Sequence, residues 1–241
     1  MKQLYIIKAG TTFSSTLESL GDFEDWIITA LGRTEFPVIV IDVVQGNPLP
    51  SPEECGGVIV TGSHAMVTDN KPWSLRIESW IPTLIAAGVP FLGICYGHQL
   101  LGRAMGGAVG YNPNGREIGT VAITLTPESK NDPLLTDIQS TFQAHTTHAQ
   151  SVLTLPSDAL LLAGNAHDPH HAFRIGTCAW GVQFHPEYTA EVMQAYITAQ
   201  ADSLLKKGRN VENMLLEVTE TPFARKVLSN FGLLVNADSS A

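Results

Sequence analysis

The stretch Val89-Pro90-Phe91-Leu92-Gly93-Ile94-Cys95-Tyr96-Gly97-His98-Gln99-Leu100-Leu101-Gly102 decides how this chain is read. Pro90 to Ile94 predicts a buried strand, and residues near 97–106 predict a helix. Cys95 falls at the junction, with Gly93 and Gly97 two residues to either side. This Gly-x-Cys-x-Gly arrangement is that of a nucleophile elbow, a turn tight enough to expose the sulfur at the carboxyl edge of a sheet. The following helix N-terminus favours a thiolate. It also leaves the Tyr96 N–H free to stabilise an oxyanion. The plain alternative is a small buried hydrophobe, the usual fate of a free cysteine.

On both sides of this stretch, strands and helices alternate. Leu4 to Lys8 predicts a strand. Residues 16–31 predict one helix, with apolar positions at Leu20, Phe23, Trp26, Ile27, Ala30 and Leu31. Pro37 opens Val38-Ile39-Val40-Ile41, a β-branched run expected to be buried on both faces. Gly57 to Val60 predicts another strand. Residues 73–87 predict a helix broken by Pro82 and capped by Gly88. This alternation implies a parallel sheet with helices on both faces. Residues 108–126, Leu160 to Ala163, Ala172 to Ile175 and Ala179 to Phe184 are expected to add strands, some antiparallel. Beyond Pro186 the pattern is helical, with helices expected over Ala190 to Lys207, Val211 to Val218 and Pro222 to Phe231, then a frayed tail. The expected fold is α/β: an open, mixed, mostly parallel sheet flanked by helices over residues 1–190. A helical extension over 191–241 is expected to pack on the same domain or to form an oligomer contact.

Composition fits one large domain. The chain has 241 residues, 44% hydrophobic and 15% charged, enough for one core and too few charges for disorder. Net charge is 14 − 23 = −9, which disfavours nucleic acid or an anionic membrane as partner. No apolar run reaches membrane-spanning length, and the N-terminus reads as a strand rather than a signal peptide. Three widely spaced cysteines, Cys55, Cys95 and Cys178, do not make a disulfide framework, so a cytoplasmic location is expected.

A thiol nucleophile needs a positioned base. Gly181-Val182-Gln183-Phe184-His185-Pro186-Glu187-Tyr188 offers one at the end of another strand. Pro186 fixes the backbone between His185 and Glu187, and the carboxylate can hold the imidazole in one tautomer. Alone, His-Pro-Glu reads equally as a surface turn. Together, Gly-Ile-Cys-Tyr-Gly-His-Gln and Gly-Val-Gln-Phe-His-Pro-Glu resemble the class I glutamine amidotransferases, over about residues 38–190.

That resemblance implies a flavodoxin-like sheet and a catalytic triad of Cys95, His185 and Glu187. It implies an oxyanion hole from the Tyr96 N–H and the loop Val60-Thr61-Gly62-Ser63-His64, with Ser63 the donor and Gly62 adjacent. It places Gln99 where substrate glutamine is contacted. Gly115-Arg116-Glu117-Ile118-Gly119 resembles the family's loop before the β-rich half, and Thr146-Thr147-His148 the loop that holds the amino-acid head group. Glu117, Thr147 and His148 are thereby candidate substrate-binding residues. Where guanylate-synthase types read His-Gly-Asp, this chain has His148-Ala149-Gln150. The departure weakens an assignment to guanylate synthesis and leaves the triad untouched.

The implied chemistry is hydrolysis of glutamine through a γ-glutamyl thioester, with no cofactor and no metal. The helical reading after residue 190 implies that any ammonia-accepting synthase is a separate chain. A γ-glutamyl peptide or amine hydrolase would use the same triad, and a non-catalytic module on this fold is a third reading. A homo-oligomer is compatible with the sequence. His167-Asp168-Pro169-His170-His171 matches no zinc spacing and is expected to be an exposed loop. His98, Cys55, Cys178 and the tryptophans Trp26, Trp73, Trp80 and Trp180 are expected to pack. Glu212 to Glu220 is expected to be a solvated face.

Overall fold

Short β-branched runs build the centre of the molecule. The computed structural model describes residues 2–32, 34 and 37–238. The end of the expected frayed tail, 239–241, lies outside them. In chain order the elements are β1 (Gln3–Lys8), α1 (Ser14–Leu20), α2 (Phe23–Leu31), β2 (Val38–Asp42), β3 (Cys55–Val60), α3 (Pro72–Ala86), β4 (Phe91–Ile94) and α4 (Tyr96–Ala104). The second half holds β5 (Ala108–Tyr111), β6 (Glu117–Leu125), β7 (Thr141–His148), β8 (Gln150–Thr154), β9 (Ala159–Gly164), β10 (Ala172–Ile175) and β11 (Ala179–Val182). Helices α5 (Ala190–Ala199), α6 (Ala201–Lys206), α7 (Val211–Leu216) and α8 (Pro222–Asp238) close the chain.

The main sheet runs β2-β1-β3-β4-β11-β10-β9-β6-β7. From β2 to β11 every pairing is parallel, and from β11 to β7 every pairing is antiparallel. Side chains alternate faces along each strand, so the sheet carries a core on each side. Leu4, Ile6, Ile59, Leu92 and Ile94 face Ile27, Leu31, Leu228 and Phe231. Tyr5, Ile7, Val58, Val60 and Phe91 face Ile77, Ile81, Leu84, Leu100 and Leu101. Parallel strands start and stop together. Gly181 pairs with Gly93 and Val182 with Ile94, while Val60 pairs with Gly93 on the other side. The residues after Val60, Ile94 and Val182 therefore emerge side by side at one edge.

Several expectations need correction. The single helix over 16–31 is two, because Gly21 turns at φ 83° and Asp22 caps α2 through a capping box with Asp25. The run at Val38 is an edge strand, with Val40 exposed, and is not buried on both faces. Pro82 does not break α3, which runs through it, and Gly88 follows at φ 70°. The helix over 190–207 is divided at Gln200, and α8 runs beyond Phe231. Strands β7 and β8 went unpredicted, so Thr146-Thr147-His148 is a strand end and no loop; Glu117-Ile118-Gly119 likewise lies in β6. Asp168 and His171 are fully buried, against the expected exposed loop. Helix α8 buries Ala224, Val227, Leu228, Phe231 and Val235 on the sheet. A Cβ on Gly57 of β3 would meet Val235 at 2.6 Å, so that contact is close.

Candidate active site

Cys95 follows β4 directly and caps α4 with φ 49° and ψ −95°. A non-glycine residue in such a region costs about 1–3 kcal/mol and persists only where the surroundings over-determine it. Here the Cys95 N–H donates to the Val182 carbonyl at 2.8 Å, and its own carbonyl accepts from the Gln99 N–H at 3.1 Å. The flanking glycines serve close packing. A Cβ on Gly93 would lie 2.3 Å from the Gly97 carbonyl oxygen, and one on Gly97 would lie 2.5 Å from the Val60 carbonyl oxygen. Strand and helix thus meet backbone to backbone, and the sulfur is thrown to the sheet edge. Tyr96 is the first helical residue, so its N–H has no partner within the helix.

The segment after β11 brings His185 to the same edge. His185 N–H donates to the His145 carbonyl at 2.8 Å, which anchors the segment to β7. Nδ1 of His185 lies 2.7 Å from Oε1 of Glu187, and both side chains are buried. Tyr188 stacks on the imidazole at 4.1 Å between ring centroids. Burial works against a charged imidazolium, but the charge of Glu187, with Cys95 beside it, pushes the His185 pKa up to about 10. Two neighbouring imidazoles move the other way. Burial, and then the charge of His185, lowers His145 to about 4. Burial, then Arg116 and His185, lowers His64.

The end of β3 supplies the third wall. A Cβ on Gly62 would approach His185 Cε1 to 3.0 Å and Cys95 Cβ to 3.8 Å, so this backbone lies against both side chains. Thr61 Oγ1 accepts from the Ala9 N–H at 3.0 Å and donates to the Gly62 carbonyl at 2.9 Å. Because a trans peptide sets N–H opposite C=O, fixing the Gly62 carbonyl also fixes the direction of the Ser63 N–H.

A cavity of about 260 Å³ opens above Cys95. Of the residues singled out in the sequence, Ser63, Tyr96, Gln99, Thr147, His148 and His185 line it with Cys95. Gln99 Nε2 donates to the Gln150 carbonyl at 2.7 Å and to Gln183 Oε1 at 3.0 Å, which ties α4 to the strand ends. Glu117 is not on the wall; its carboxylate stands behind it, against His148. Sequence reasoning passed over Arg116, Phe13, Phe23 and Tyr196, which also face the cavity. Arg116 Nη2 donates to Thr147 Oγ1 at 2.9 Å, while its buried Nε has no partner. Phe13 and His64 rings lie 4.4 Å apart, and the Tyr196 hydroxyl is 2.7 Å from Thr12 Oγ1 and 3.4 Å from His64 Nε2. Arg116 and Phe23 stood in stretches already quoted, but nothing in spacing aimed them at Cys95. Tyr196 carries no local signal, because it arrives by tertiary packing of α5.

A cysteine at a strand–helix elbow, an imidazole paired with a buried carboxylate, and the Gly62 backbone are gathered at one cavity, an arrangement that suits a cysteine nucleophile acting on a carbonyl. Residues 17–202 match the family described as glutamine amidotransferase class-I, and the chain belongs to that family. A GMP synthase [glutamine-hydrolyzing] of Porphyromonas gingivalis is 38% identical over 133 residues, covering 54% of this chain and 24% of the relative. The corresponding synthase of Aeropyrum pernix is 31% identical over 67% of this chain and 30% of its own length. The chain therefore spans under a third of the length of these synthases. A glutamine amidotransferase-like protein of Schizosaccharomyces pombe is 23% identical and matches over 90% of this chain and 96% of its own. In fold, a solved glutamine amidotransferase of Thermotoga maritima superposes with a TM-score of 0.77 at 22% identity, over 98% of each chain.

Proposed function

We propose that this chain hydrolyses the side-chain amide of glutamine through a γ-glutamyl thioester on Cys95. The sulfur attacks the carboxamide carbon, and the oxyanion is held by the N–H groups of Tyr96 and Ser63. His185, oriented by Glu187, gives its proton to the departing ammonia. It then takes a proton from water, which attacks the thioester and releases glutamate and the free thiol. Arg116 and the 147–148 backbone suit the α-carboxylate and α-amino end of the substrate, since a half-buried guanidinium on the cavity wall matches a carboxylate. Gln99 orders the wall beneath. The observation that carries this reading is the convergence of Cys95, the His185–Glu187 pair and the Gly62 backbone at one sheet edge. The ammonia is passed to a synthase, a role supported by likeness to about a quarter of the length of a GMP synthase.

The aromatic wall of Phe13, His64 and Tyr196 favours a second reading, hydrolysis of γ-glutamyl peptides or amines, whose leaving groups are larger than ammonia. One experiment separates the two. The protein is treated with a glutamine-analogue electrophile and the adduct mapped by mass spectrometry, with glutamine or a γ-glutamyl dipeptide as competitor and Cys95→Ser as control. Protection of Cys95 by glutamine supports the amidase. Protection by the dipeptide alone supports the peptidase. Equal labelling of Cys55 and Cys178, with none on Cys95, overturns both.

A further inference from the structure

Behind the cavity wall lies a second cluster, of side chains that the proposed hydrolysis does not use. Glu117 of β6 and His148 of β7 are paired directly across the two strands. His171 enters β10 from the preceding turn. All three side chains are buried, and one donor atom from each lies within 4.8 Å of the others. Glu117 Oε2 is 3.1 Å from His148 Nε2 and 3.0 Å from His171 Nε2.

The hydrogen bonding around these atoms is unbalanced. His148 Nδ1 lies 3.0 Å from the Gln150 carbonyl, so that nitrogen donates, since a carbonyl only accepts. Its Nε2 is thereby aimed at the carboxylate. His171 is fully buried, and neither of its ring nitrogens has a hydrogen-bond partner. Its Nε2 is close to Glu117 Oε2, yet outside hydrogen-bonding geometry. Unpartnered buried polar groups are costly, and two ring nitrogens crowding one carboxylate oxygen is the arrangement a shared cation relieves.

We propose that Glu117, His148 and His171 form a binding site for a divalent transition metal of the zinc class. Metal bonds of about 2.0–2.1 Å at a tetrahedral centre put donor atoms roughly 3.3 Å apart, so the two separations from Glu117 Oε2 need open by only a few tenths of an ångström. Two imidazoles and one carboxylate suit zinc or cobalt better than magnesium or calcium. The outer contacts are those that orient ligands: His148 Nδ1 on a backbone carbonyl, and Glu117 Oε1 accepting from Asn165 Nδ2 at 2.9 Å. Asp168 Oδ2, 3.9 Å from His148 Nδ1, adds a second buried carboxylate to the cation's surroundings. His148 also lines the cavity above Cys95, so the cluster adjoins that cavity. Once bound, the metal ties β6, β7 and the turn before β10 together behind the wall formed by residues 147–150.

The test uses the full chain carrying Cys95→Ser, which removes the competing cavity thiol. The chelator-stripped protein is titrated with Co²⁺, following visible absorption and the melting temperature. The expected result is one ion per chain, bands of a nitrogen and oxygen centre without a sulfur charge-transfer band, a raised melting temperature and displacement by Zn²⁺. Adding His171→Gln or Glu117→Gln should weaken binding by about 10-fold or more. Should those variants fail to fold, X-ray absorption at the zinc edge on the Cys95→Ser protein decides, with two imidazoles and no sulfur expected. Absence of stoichiometric binding, a sulfur ligand, or binding unchanged by both substitutions overturns the site.

Discussion

The cavity above Cys95 has two walls built on different principles. One is made of strand ends. Val60, Ile94 and Val182 stop together because their strands are parallel and in register, so Gly62, Cys95 and His185 are delivered by the backbone. The other is made of side chains. Phe13 comes from the loop after β1, His64 from the loop after β3, and Tyr196 from α5, and they meet through ring contacts and hydroxyl hydrogen bonds. The groups proposed to react sit where sheet geometry leaves little freedom, while the groups that would meet a leaving group sit where substitution disturbs the backbone least. Damage to the first wall should therefore cost rate, and damage to the second should change preference.

The largest effect is expected from Cys95→Ser, which should lower glutamine hydrolysis by at least about 10³-fold, measured as ammonia release, with the melting temperature little changed. Next is Glu187→Gln. Removing the orienting carboxylate should cost about 10²–10⁴-fold. It should also move the alkaline limb of the pH profile, expected near 10, down toward the ordinary histidine value of 6.5. The sign for stability follows from the raised pKa. In the native protein the His185 contribution is fully present below pH 6.5 and is lost as pH rises through about 10, so the variant should show a flatter dependence over that window. A pH-independent difference would break the assignment of Glu187 as the partner of His185.

Smaller again is Thr61→Val. Its hydroxyl holds the Gly62 carbonyl, so losing it should loosen the Ser63 N–H and lower kcat by about 10–10²-fold with KM little moved. The Ala9 N–H also loses its acceptor, at a cost of about 1–3 kcal/mol. Thr61→Ser keeps the hydroxyl and should restore kcat. If Val and Ser variants lose kcat equally, the hydroxyl is not what sets the loop.

The first wall was legible in the sequence because its signals are local. Glycines at plus and minus two around Cys95, and Pro186 between His185 and Glu187, are written within a few residues. Their packing reason was not legible: Gly97 is required by the Val60 carbonyl, nearly forty positions earlier in the chain. The parallel half of the sheet was readable from apolar runs, but its order was not, so the edge position of Val38–Asp42 was missed. Strands β7 and β8 bury the polar side chains of His145, Thr146, His148, Gln150 and Ser151, which cut short the apolar alternation that Phe142 and Ala144 begin. For the same reason the buried Asp168 and His171 read as a solvated turn. Tyr196 could not be seen at all, since its place depends on how α5 folds back over the strand ends.

Tyr196→Phe tests the second wall with the least disturbance. The ring keeps its contacts with Phe13 and Tyr188, so packing is conserved, and only the hydroxyl bonded to Thr12 and close to His64 is lost. A neutral hydrogen bond of this kind is worth about 0.5–1.5 kcal/mol, so stability should fall slightly. Glutamine turnover should change by less than about 5-fold, which corresponds to about 1 kcal/mol. If the wall serves only as packing, glutamine and a γ-glutamyl dipeptide should be affected alike. If it meets the leaving group, the two substrates must separate, because ammonia is too small to reach the ring and an amine or peptide is not. The ratio of the two kcat/KM values, compared before and after the substitution, therefore reads the function of the second wall without touching the first.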